Sequence, residues 1–382
     1  MKIALISNYE PDGSNSMLRY GRMLKSKLRE RGYDVLLLHP PALLGRLPLS
    51  RGGPAKWIGY IDKFVIAPWY LRWKSRNADV VHICDHSNAM YLWCAGSRPH
   101  VITCHDVIAV RAARGEYPGI ETRGTGRLLQ WWIATSLQRA RYVLCDSHKT
   151  ESDLQALAPH MPASLRVVYL SLNRNCAPAD QEQVRQAKTA AGMDAGAEYL
   201  LHVGGPGWYK NRAGAIRIFA ELKKAPEFAG MKLLLAGKAR DERERALCRQ
   251  EGIEAAVLEA QRVSDETLQG LYTGAQALLF PSLTEGFGWP VLEAQACGCP
   301  VITSNRPPMT EVTGDAAILI DPTEVEAAER IIREQWPRRA ALREAGLRNA
   351  AGFSEERMME GYTRAYEEVV AAWRTRAAAV ER

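Results

Sequence analysis

The sequence lacks any apolar run close to the roughly 20 residues that a membrane-spanning helix requires. Its longest apolar stretches, such as Val65–Trp69 and Ala277–Pro281, are far shorter. The 8 cysteines are scattered without a Cys-x-x-Cys spacing, which argues against a zinc site or a disulfide scaffold. Since Met1–Ser7 leads into a polar loop without a small-residue cleavage site, we expect no secretory signal and a reduced, cytoplasmic protein.

Extremes of composition are missing as well. Hydrophobic residues make up 47% of the 382 residues and charged residues 24%, so the composition excludes disordered and collagen-like proteins. The 50 Lys+Arg against 43 Asp+Glu give a net charge of +7, which suits nucleic acid, an anionic membrane or a phosphorylated substrate. Because no helix-turn-helix, zinc finger or RNP-like run occurs, no nucleic-acid partner is expected.

Short Val/Ile/Leu-rich runs alternate with longer helix-like segments along the whole chain. This alternation indicates an α/β fold with parallel sheets that are covered on both faces. The polar stretch Leu172–Ala197 separates two series of such units, so we predict a linker there and two domains, residues 1–172 and 173–354. The predicted strands are Lys2–Ser7, Asp34–His39, Val80–Asp85, Val101–His105, Tyr142–Asp146, Arg166–Leu170, Tyr199–Val203, Lys232–Ala236, Ala277–Pro281, Val301–Thr303 and Ala317–Ile320.

The segment Pro281–Ala294 contains the densest group of candidate functional residues. Ligands of doubly wound sheets bind in the loops after the carboxyl ends of the strands, and here such a loop leads into a helix. Gly286 and Gly288 allow a ligand to approach the backbone, and the N–H groups of a helix start favour phosphate. Glu285 in the loop and Glu293 in the helix can accept hydrogen bonds from sugar hydroxyls. The alternative is that both are solvated surface carboxylates.

This segment and its continuation resemble the signature of retaining glycosyltransferases of family 4, which have the GT-B fold. The two acids are spaced as Glu285-x7-Glu293, and Ala296–Ile302 and Thr310–Ala317 look like the next elements of that family. The resemblance is strong over residues 199–325 and weaker in the first half of the chain. It implies two Rossmann-like domains that face each other across a cleft.

The resemblance also assigns roles to individual residues. In such enzymes the acid that matches Glu285 contacts the transferred sugar, which makes it a candidate catalytic residue, and the acid that matches Glu293 binds the nucleotide ribose. Main-chain amides around Gly286, Phe287 and Gly288 hold sugar or phosphate. The nucleotide sugar is then a substrate, and we expect no cofactor and no metal.

A second glycine-rich strand-to-helix loop, residues 201–212, contains Lys210, a point charge suited to a diphosphate. The alternative is a solvated lysine in a plain connection. A dinucleotide site is less favoured, because Gly205-x-Gly207 lacks the third glycine of that fingerprint. The resemblance implies that Lys210 binds the donor phosphates, but Gly205 stands where the family has an arginine. Either Arg212 replaces that charge or Lys210 carries it alone.

Further candidates lie in the first half of the chain. The resemblance implies that Gly13, in the loop after the first strand, lies against the donor diphosphate, although this loop also fits a plain turn. His105 matches a family histidine that contacts the donor sugar near the reaction centre, whereas a lone histidine at a strand end is usually structural. Asp85 ends another strand and is a candidate for the acceptor side. The family also implies that the last helix, about residues 355–382, packs back on the first domain.

Basic residues are interleaved with tryptophan and tyrosine in residues 51–76, and residues 16–31 add more basic residues to the same half. Cations and amphipathic rings are both stabilised at a lipid headgroup interface, so these segments favour docking on an anionic membrane surface. The alternative is a solvated helix face whose aromatic side chains enter the core.

The resemblance implies an enzyme that transfers a hexose from a nucleotide-diphosphate sugar to a hydroxyl of a glycan or lipid-linked acceptor, with retention of anomeric configuration. Such a reaction belongs to cell-surface polysaccharide or glycolipid synthesis, in the cytoplasm or at the inner face of the membrane. Family habit favours GDP-mannose, with a UDP-hexose as the alternative. A sugar-nucleotide epimerase and a non-catalytic nucleotide-sugar-binding protein of the same fold are further alternatives.

Overall fold

The computed structural model describes residues 1–45, 59–159, 164–205 and 207–380. The chain divides into two compact units. The first unit comprises Met1–Asn173 and Glu355–Arg382, and the second comprises Arg174–Ser354. Each unit contains one six-stranded sheet in which all paired strands are parallel, so the predicted α/β fold class is confirmed.

The sheet of the first unit has the strand order β2-β1-β3-β4-β5-β6. Its central strands are buried apolar runs, as expected for a parallel sheet with helices on both faces. The order reverses between β1 and β3, and the loops after these two strands therefore leave an opening at the carboxyl edge. The strands are β1 Lys2–Ile6, β2 Asp34–Leu38, β3 Val80–Ile83, β4 His100–Cys104, β5 Tyr142–Cys145 and β6 Ser164–Val167.

Helices cover the sheet of the first unit, and the last of them comes from the end of the chain. This helix, Glu355–Val380 (α15), packs on the sheet through the buried Tyr366, whose hydroxyl lies 2.7 Å from His82 Nδ1, and on the helix Asn15–Glu30 through the buried Tyr362, whose hydroxyl lies 2.5 Å from that of Tyr20. The helices of the first unit are α1 Asn15–Glu30, α2 Ala67–Lys74, α3 Leu92–Ala95, α4 Ile108–Ala113, α5 Thr125–Leu137, α6 His148–Leu157 and α15 Glu355–Val380.

The sheet of the second unit has the order β12-β11-β10-β7-β8-β9. Numbered from β7, this is the 3-2-1-4-5-6 order of dinucleotide-binding folds, whose ligands bind where the order reverses, here between β7 and β10. The strands are β7 Tyr199–Gly204, β8 Lys232–Gly237, β9 Val257–Ala260, β10 Ala277–Phe280, β11 Val301–Ser304 and β12 Ile318–Ile320. The helices are α7 Gln181–Ala190, α8 Arg212–Leu222, α9 Glu242–Gln250, α10 Asp265–Gly274, α11 Trp289–Ala296, α12 Met309–Thr313, α13 Val325–Gln335 and α14 Arg339–Ala351.

The predicted linker, residues 172–197, contains a helix that was not predicted. Gln181–Ala190 forms helix α7, because Asp180 and Gln183 form a reciprocal capping box and Ala187 is buried. The analysis also missed the edge strand β9, whose four residues are too few to show a clear apolar period. Within the described ranges, no helix is both long and apolar enough to cross a membrane.

Candidate active site

The loops that follow β7 and β10 are joined at the point where the strand order reverses. The amide of Leu283 donates to the carbonyl of Tyr209 at 2.7 Å, and Ser282 Oγ lies 2.8 Å from the same carbonyl oxygen. Asn211, in the left-handed region at φ 53°, donates from Nδ2 to the carbonyl of Pro281 at 2.9 Å. These bonds hold the two loops in one geometry without help from a ligand.

Lys210 and Glu285 form an ion pair between these loops. Lys210 Nζ lies 2.8 Å from Glu285 Oε1 and 3.0 Å from Oε2, and it stands 5.0 Å from the centroid of the Phe280 ring. The Ser282 hydroxyl donates to Glu285 Oε1 at 2.6 Å. Glu285 is 8% exposed, so both charges sit in a partly dry environment where a second anion competes effectively for the lysine. The structure thus brings together two of the predicted site residues.

The loop Gly286–Gly288 leads directly into α11, whose amino end carries the positive end of the helix dipole. Gly288 has φ 99°, a backbone conformation that residues with a side chain rarely adopt, so this position favours glycine. Phe287 is 4% exposed, and its ring packs 5.9 Å from that of Phe353. Its side chain is therefore part of the core, which leaves only its main chain for a ligand.

Glu293 lies on α11 and is 2% exposed. Arg174 Nε is 3.0 Å from its Oε1, and the hydroxyl of Tyr272 donates to its Oε2 at 3.0 Å. Burial and the charge of Glu293 raise the pKa of Tyr272, so the tyrosine remains a donor. The sequence analysis missed both partners, because Arg174 lay in the predicted linker and Tyr272 has the spacing of an ordinary core residue of α10.

Arg212 lies in the interior of the second unit and is 3% exposed. Its Nε is 3.2 Å from Glu244 Oε1, and its Nη1 donates to the carbonyl of Lys238 at 3.0 Å. Arg212 Nη2 is buried without a hydrogen-bond partner among the described residues, so the Glu244 pair does not by itself exclude a phosphate there. Whether Arg212 replaces the missing family charge or Lys210 carries it alone stays a prediction.

In the first unit, His105 follows β4 and both of its ring nitrogens are engaged. Nδ1 lies 3.0 Å from Asp146 Oδ2 and Nε2 lies 3.0 Å from the carbonyl of Cys84. Because both partners accept, the ring donates twice and is an imidazolium. Burial acts to lower the pKa of His105, but the hydrogen bond and charge of Asp146 outweigh it and raise this pKa to about 9. His105 therefore cannot take up a proton at neutral pH.

Asp146 is a functional candidate that the sequence analysis did not single out. It directly follows β5 and is 2% exposed. Burial raises the pKa of Asp146, and the bond with His105 opposes that rise. The rule that selected Asp85 after β3 and His105 after β4 finds Asp146 as well, if it is applied to every strand of the sheet.

Asp85 and Gly13 lie in the loops beside the strand-order reversal of the first unit. Asp85 is 5% exposed and accepts from Asn8 Nδ2 at 2.6 Å and from the amide of Ser87 at 2.8 Å. It thus connects the loops after β1 and β3. Gly13 has φ 68°, and a Cβ at this position would meet no atom within 4 Å. The acceptor role of Asp85 and the diphosphate role of Gly13 stay predictions.

No group of three or more His, Cys, Asp or Glu side chains could hold a metal ion in the part of the chain that the structure describes. All 8 cysteines are free. The independence from metals stays a prediction, to be tested with a chelator.

Two family descriptions match the chain, one in each half. "Glycosyltransferase Family 4" matches residues 17–174, and "Glycosyl transferases group 1" matches residues 184–347. The predicted family resemblance is confirmed by these matches.

Curated relatives share parts of the chain. It is 42% identical over 99 residues to the O-antigen chain mannosyltransferase B of Escherichia coli, covering 25% of this chain and 26% of that protein. It is 27% identical over 212 residues to the O-antigen chain mannosyltransferase RfbU of Salmonella typhimurium, covering 54% of each. The matches thus span about a quarter and about half of the length of these relatives.

Solved structures resemble the chain over nearly its whole length. The sucrose-phosphate synthase of Thermosynechococcus elongatus superposes with a TM-score of 0.75 at 20% identity, covering 97% of this chain and all of that one. WaaG, a glycosyltransferase involved in lipopolysaccharide biosynthesis, superposes with a TM-score of 0.68 at 17% identity, covering 92% and 95%. At these identities the likeness shows the fold alone, which is GT-B.

Proposed function

Because this chain belongs to glycosyltransferase family 4, the group 1 glycosyl transferases of the GT-B fold, we propose that it is a retaining hexosyltransferase that uses a nucleotide-diphosphate sugar. The observation that carries the proposal is the partly buried Lys210–Glu285 pair at the strand-order reversal of the second sheet, with Glu293 held eight residues further on. A cation, a carboxylate and a helix start in one loop cluster suit phosphate and sugar hydroxyls together.

Donor binding would separate Lys210 from Glu285 and give each of them a new partner in the donor. The donor diphosphate attracts Lys210 more strongly than a single carboxylate does, and Glu285 then accepts hydrogen bonds from the sugar hydroxyls. Lys210 and the amino end of α11 would stabilise the charge that develops on the leaving diphosphate. Glu293, oriented by Arg174 and Tyr272, would accept from the ribose.

The transfer itself needs a proton acceptor, and His105 does not qualify, because it is already protonated and donates from both ring nitrogens. We assign the proton to the leaving group. The bond from the anomeric carbon to the diphosphate breaks, the acceptor oxygen bonds to that carbon on the same face, and its proton passes to the departing phosphate oxygen. His105 is then a sugar-positioning residue.

For the donor, GDP-mannose is favoured, and a UDP-hexose is the alternative. Two relatives are named as O-antigen chain mannosyltransferases, which supports a mannosyl donor and a role in surface polysaccharide synthesis. The acceptor in this proposal is a hydroxyl of a glycan or of a lipid-linked saccharide.

A thermal-shift series with GDP, UDP, ADP and their common sugars tests the donor class. A ligand at 100 times its dissociation constant should stabilise the fold by about 2.7 kcal/mol. We expect GDP and GDP-mannose to give the largest shift, and a larger shift with UDP would select the alternative donor. Turnover of the nucleotide sugar without any acceptor would instead indicate an epimerase, and binding without release of nucleotide would indicate a non-catalytic binding protein.

Substituting Glu285 tests the chemistry. Glu285→Ala should abolish transfer without weakening the affinity for the free nucleotide, because the carboxylate contacts the sugar in this proposal and its removal leaves Lys210 free for the diphosphate. Glu326→Ala, at an exposed position of α13, is the matched control and should be fully active. A fully active Glu285→Ala enzyme would overturn the assigned role.

The proposal includes docking of the first unit on an anionic membrane. Every exposed large hydrophobic side chain among the described residues belongs to this unit, including Trp69 and Trp73 on α2 at 67% and 55%. Lys74 Nζ and the Arg76 guanidinium lie 4.5 and 5.2 Å from the Trp73 ring, a combination suited to lipid headgroups. The part of the predicted segment 51–76 before residue 59 lies outside the described residues.

The other predicted membrane segment, residues 16–31, gives weaker support. It corresponds to α1 and the residue after it, and several of its cations already have partners: Lys27 Nζ lies 3.0 Å from Glu355 Oε2, Arg31 Nη1 lies 3.3 Å from Glu355 Oε1, and Arg22 Nη2 lies 3.9 Å from Glu10 Oε1. Cosedimentation with vesicles tests docking. We expect binding to anionic vesicles only, and equal binding to neutral vesicles, or none to either, would refute it.

A further inference from the structure

A cavity of 1190 Å³ opens at the amino edge of the sheet of the first unit. Its lining includes His100, Tyr142 and Ser164, which begin β4, β5 and β6. Because the strands are parallel, this edge is opposite to the one that carries His105 and Asp146. The proposed transfer reaction therefore makes no use of this cavity.

The cavity has an apolar wall and a tryptophan rim. Trp93, Trp132 and Trp373 line it and are 49%, 39% and 38% exposed. Trp132 packs 5.2 Å from the Phe64 ring, and Trp93 packs 5.1 Å from Trp69 on α2. The cavity is thus continuous with the exposed aromatic surface of α2, where we place the membrane contact. The apolar wall consists of Phe64, Met90, Leu92 and Val369.

Four arginines, Arg98, Arg139, Arg141 and Arg376, line the same cavity, against one carboxylate, Glu368. Glu368 is already bonded to the Tyr142 hydroxyl and to the Arg364 guanidinium. Arg98 donates mainly to backbone carbonyls. The other three lining arginines are exposed and form no ion pair with a carboxylate among the described residues. The cavity thus offers positive charge without its own counterion.

We propose that this cavity binds one anionic phospholipid, with the phosphate among the arginines and an acyl chain along the apolar wall. This inference rests on the proposed membrane docking. Free phosphate would satisfy the arginines but leave the apolar wall in water, and a zwitterionic lipid would bring its own cationic group next to the arginines, so an anionic amphiphile complements both surfaces. The volume exceeds that of a typical small-ligand pocket, which leaves room for a headgroup and the start of a chain.

Titration with a short-chain soluble lipid tests the site without a membrane. The probe is dihexanoyl-phosphatidylglycerol below its micelle concentration, followed by calorimetry and by tryptophan fluorescence. We expect saturable binding of one molecule per chain, at least tenfold weaker binding of dihexanoyl-phosphatidylcholine, and no binding of inorganic phosphate at the same concentration. Equal affinity for the two lipids, or phosphate binding as tightly as the anionic lipid, would overturn the proposal.

Reversing the charge of two arginines that line the cavity tests whether the lipid binds there. The double variant Arg139→Glu/Arg141→Glu changes two exposed residues and should weaken lipid binding at least tenfold. Arg127→Glu, at an exposed position on α5 that does not line the cavity, is the control and should bind within twofold of the wild type. Unchanged binding by the double variant would refute the site, and thermal melting verifies that each variant is folded.

The outcomes separate this proposal from those on which it rests. Vesicle binding without binding of the short-chain lipid would refute the cavity as a lipid site and leave membrane docking intact. Binding of the short-chain lipid without vesicle binding would support the cavity and refute docking. Donor-induced thermal shifts and transfer to a soluble acceptor should be the same in the wild type and in Arg139→Glu/Arg141→Glu, since neither arginine is a residue proposed to bind the donor and the cavity lies at the sheet edge opposite to His105.

Discussion

Replacing Asp146 with asparagine removes the carboxylate that keeps His105 charged. The pKa of His105 stands at about 9 because the hydrogen bond and charge of Asp146 outweigh the burial that would lower it. In Asp146→Asn, burial becomes the main influence on the ring. We therefore expect His105 to be neutral at pH 7 in the variant, with one of its two donated hydrogen bonds lost.

The effect on stability follows from the shift in the His105 pKa. A rise of the His105 pKa from its ordinary value in the unfolded chain to about 9 in the fold corresponds to about 3 kcal/mol at most, at about 1.36 kcal/mol per pKa unit. The raised pKa of Asp146 offsets part of this gain, so we expect Asp146→Asn to lose about 1–3 kcal/mol. Because the folded pKa of His105 is the higher one, its contribution is complete below about pH 6.5 and disappears as the pH rises through about 9.

Urea unfolding of the wild type and the variant, at about pH 6 and about pH 9.5, measures this dependence. The destabilisation should be largest at the lower pH and should shrink at the higher one. Asp153→Asn is the matched control, because Arg111 Nη1 lies 2.7 Å from Asp153 and Lys149 is its other partner, so the substitution removes a paired carboxylate that has no histidine partner. The same destabilisation by Asp146→Asn at both pH values would refute the assignment of a charged His105.

Three further predictions concern the second unit and the reaction. Tyr272→Phe removes a donor to the buried Glu293, so we expect a loss of about 1–3 kcal/mol in urea unfolding and a weaker affinity for the nucleotide in titration calorimetry. Gly237 has φ 145°, and in Gly237→Ala the new Cβ would lie 2.4 Å from the carbonyl oxygen of Gly204, so the free energy of unfolding should fall by about 2–4 kcal/mol. Gly230→Ala is the control: no atom lies within 4 Å of a Cβ there, and the free energy of unfolding should fall by about 0.5 kcal/mol or less. Transfer should survive EDTA, and a loss of activity that is restored by a divalent cation would contradict the expected independence from metals.

Much of the fold was predictable because its signals are local. The apolar runs at β1, β4 and β10 are continuous in sequence, since a parallel strand is buried on both faces. The elements that were not predicted are those held in place by contacts with residues remote in the sequence. Strand β9 has four residues and Gln181–Ala190 is rich in polar residues; the first is held by pairing with β8 and the second by packing on α10.

The candidate site was predictable in part for the same reason. Glu285 and Glu293 lie within one loop and one helix, so their spacing is visible in the sequence, as is the glycine-rich loop that ends in Lys210. The contacts of these residues are not visible in the sequence. Arg174 reaches Glu293 from 119 positions away along the chain (293 − 174), and no local pattern indicates such a partner.

The amino-acid sequence was thus sufficient for the α/β class, the family and the positions of the polar strand ends, because each depends on residues that are neighbours along the chain. The folded chain was needed for the strand order, the ion pair of Lys210 with Glu285, and the charge of His105 beside Asp146. It was needed as well to bring four arginines and a tryptophan rim around one cavity. Pairing, burial and charge compensation join residues that are remote in sequence, and their energies depend on distance and exposure, which exist only in the folded state.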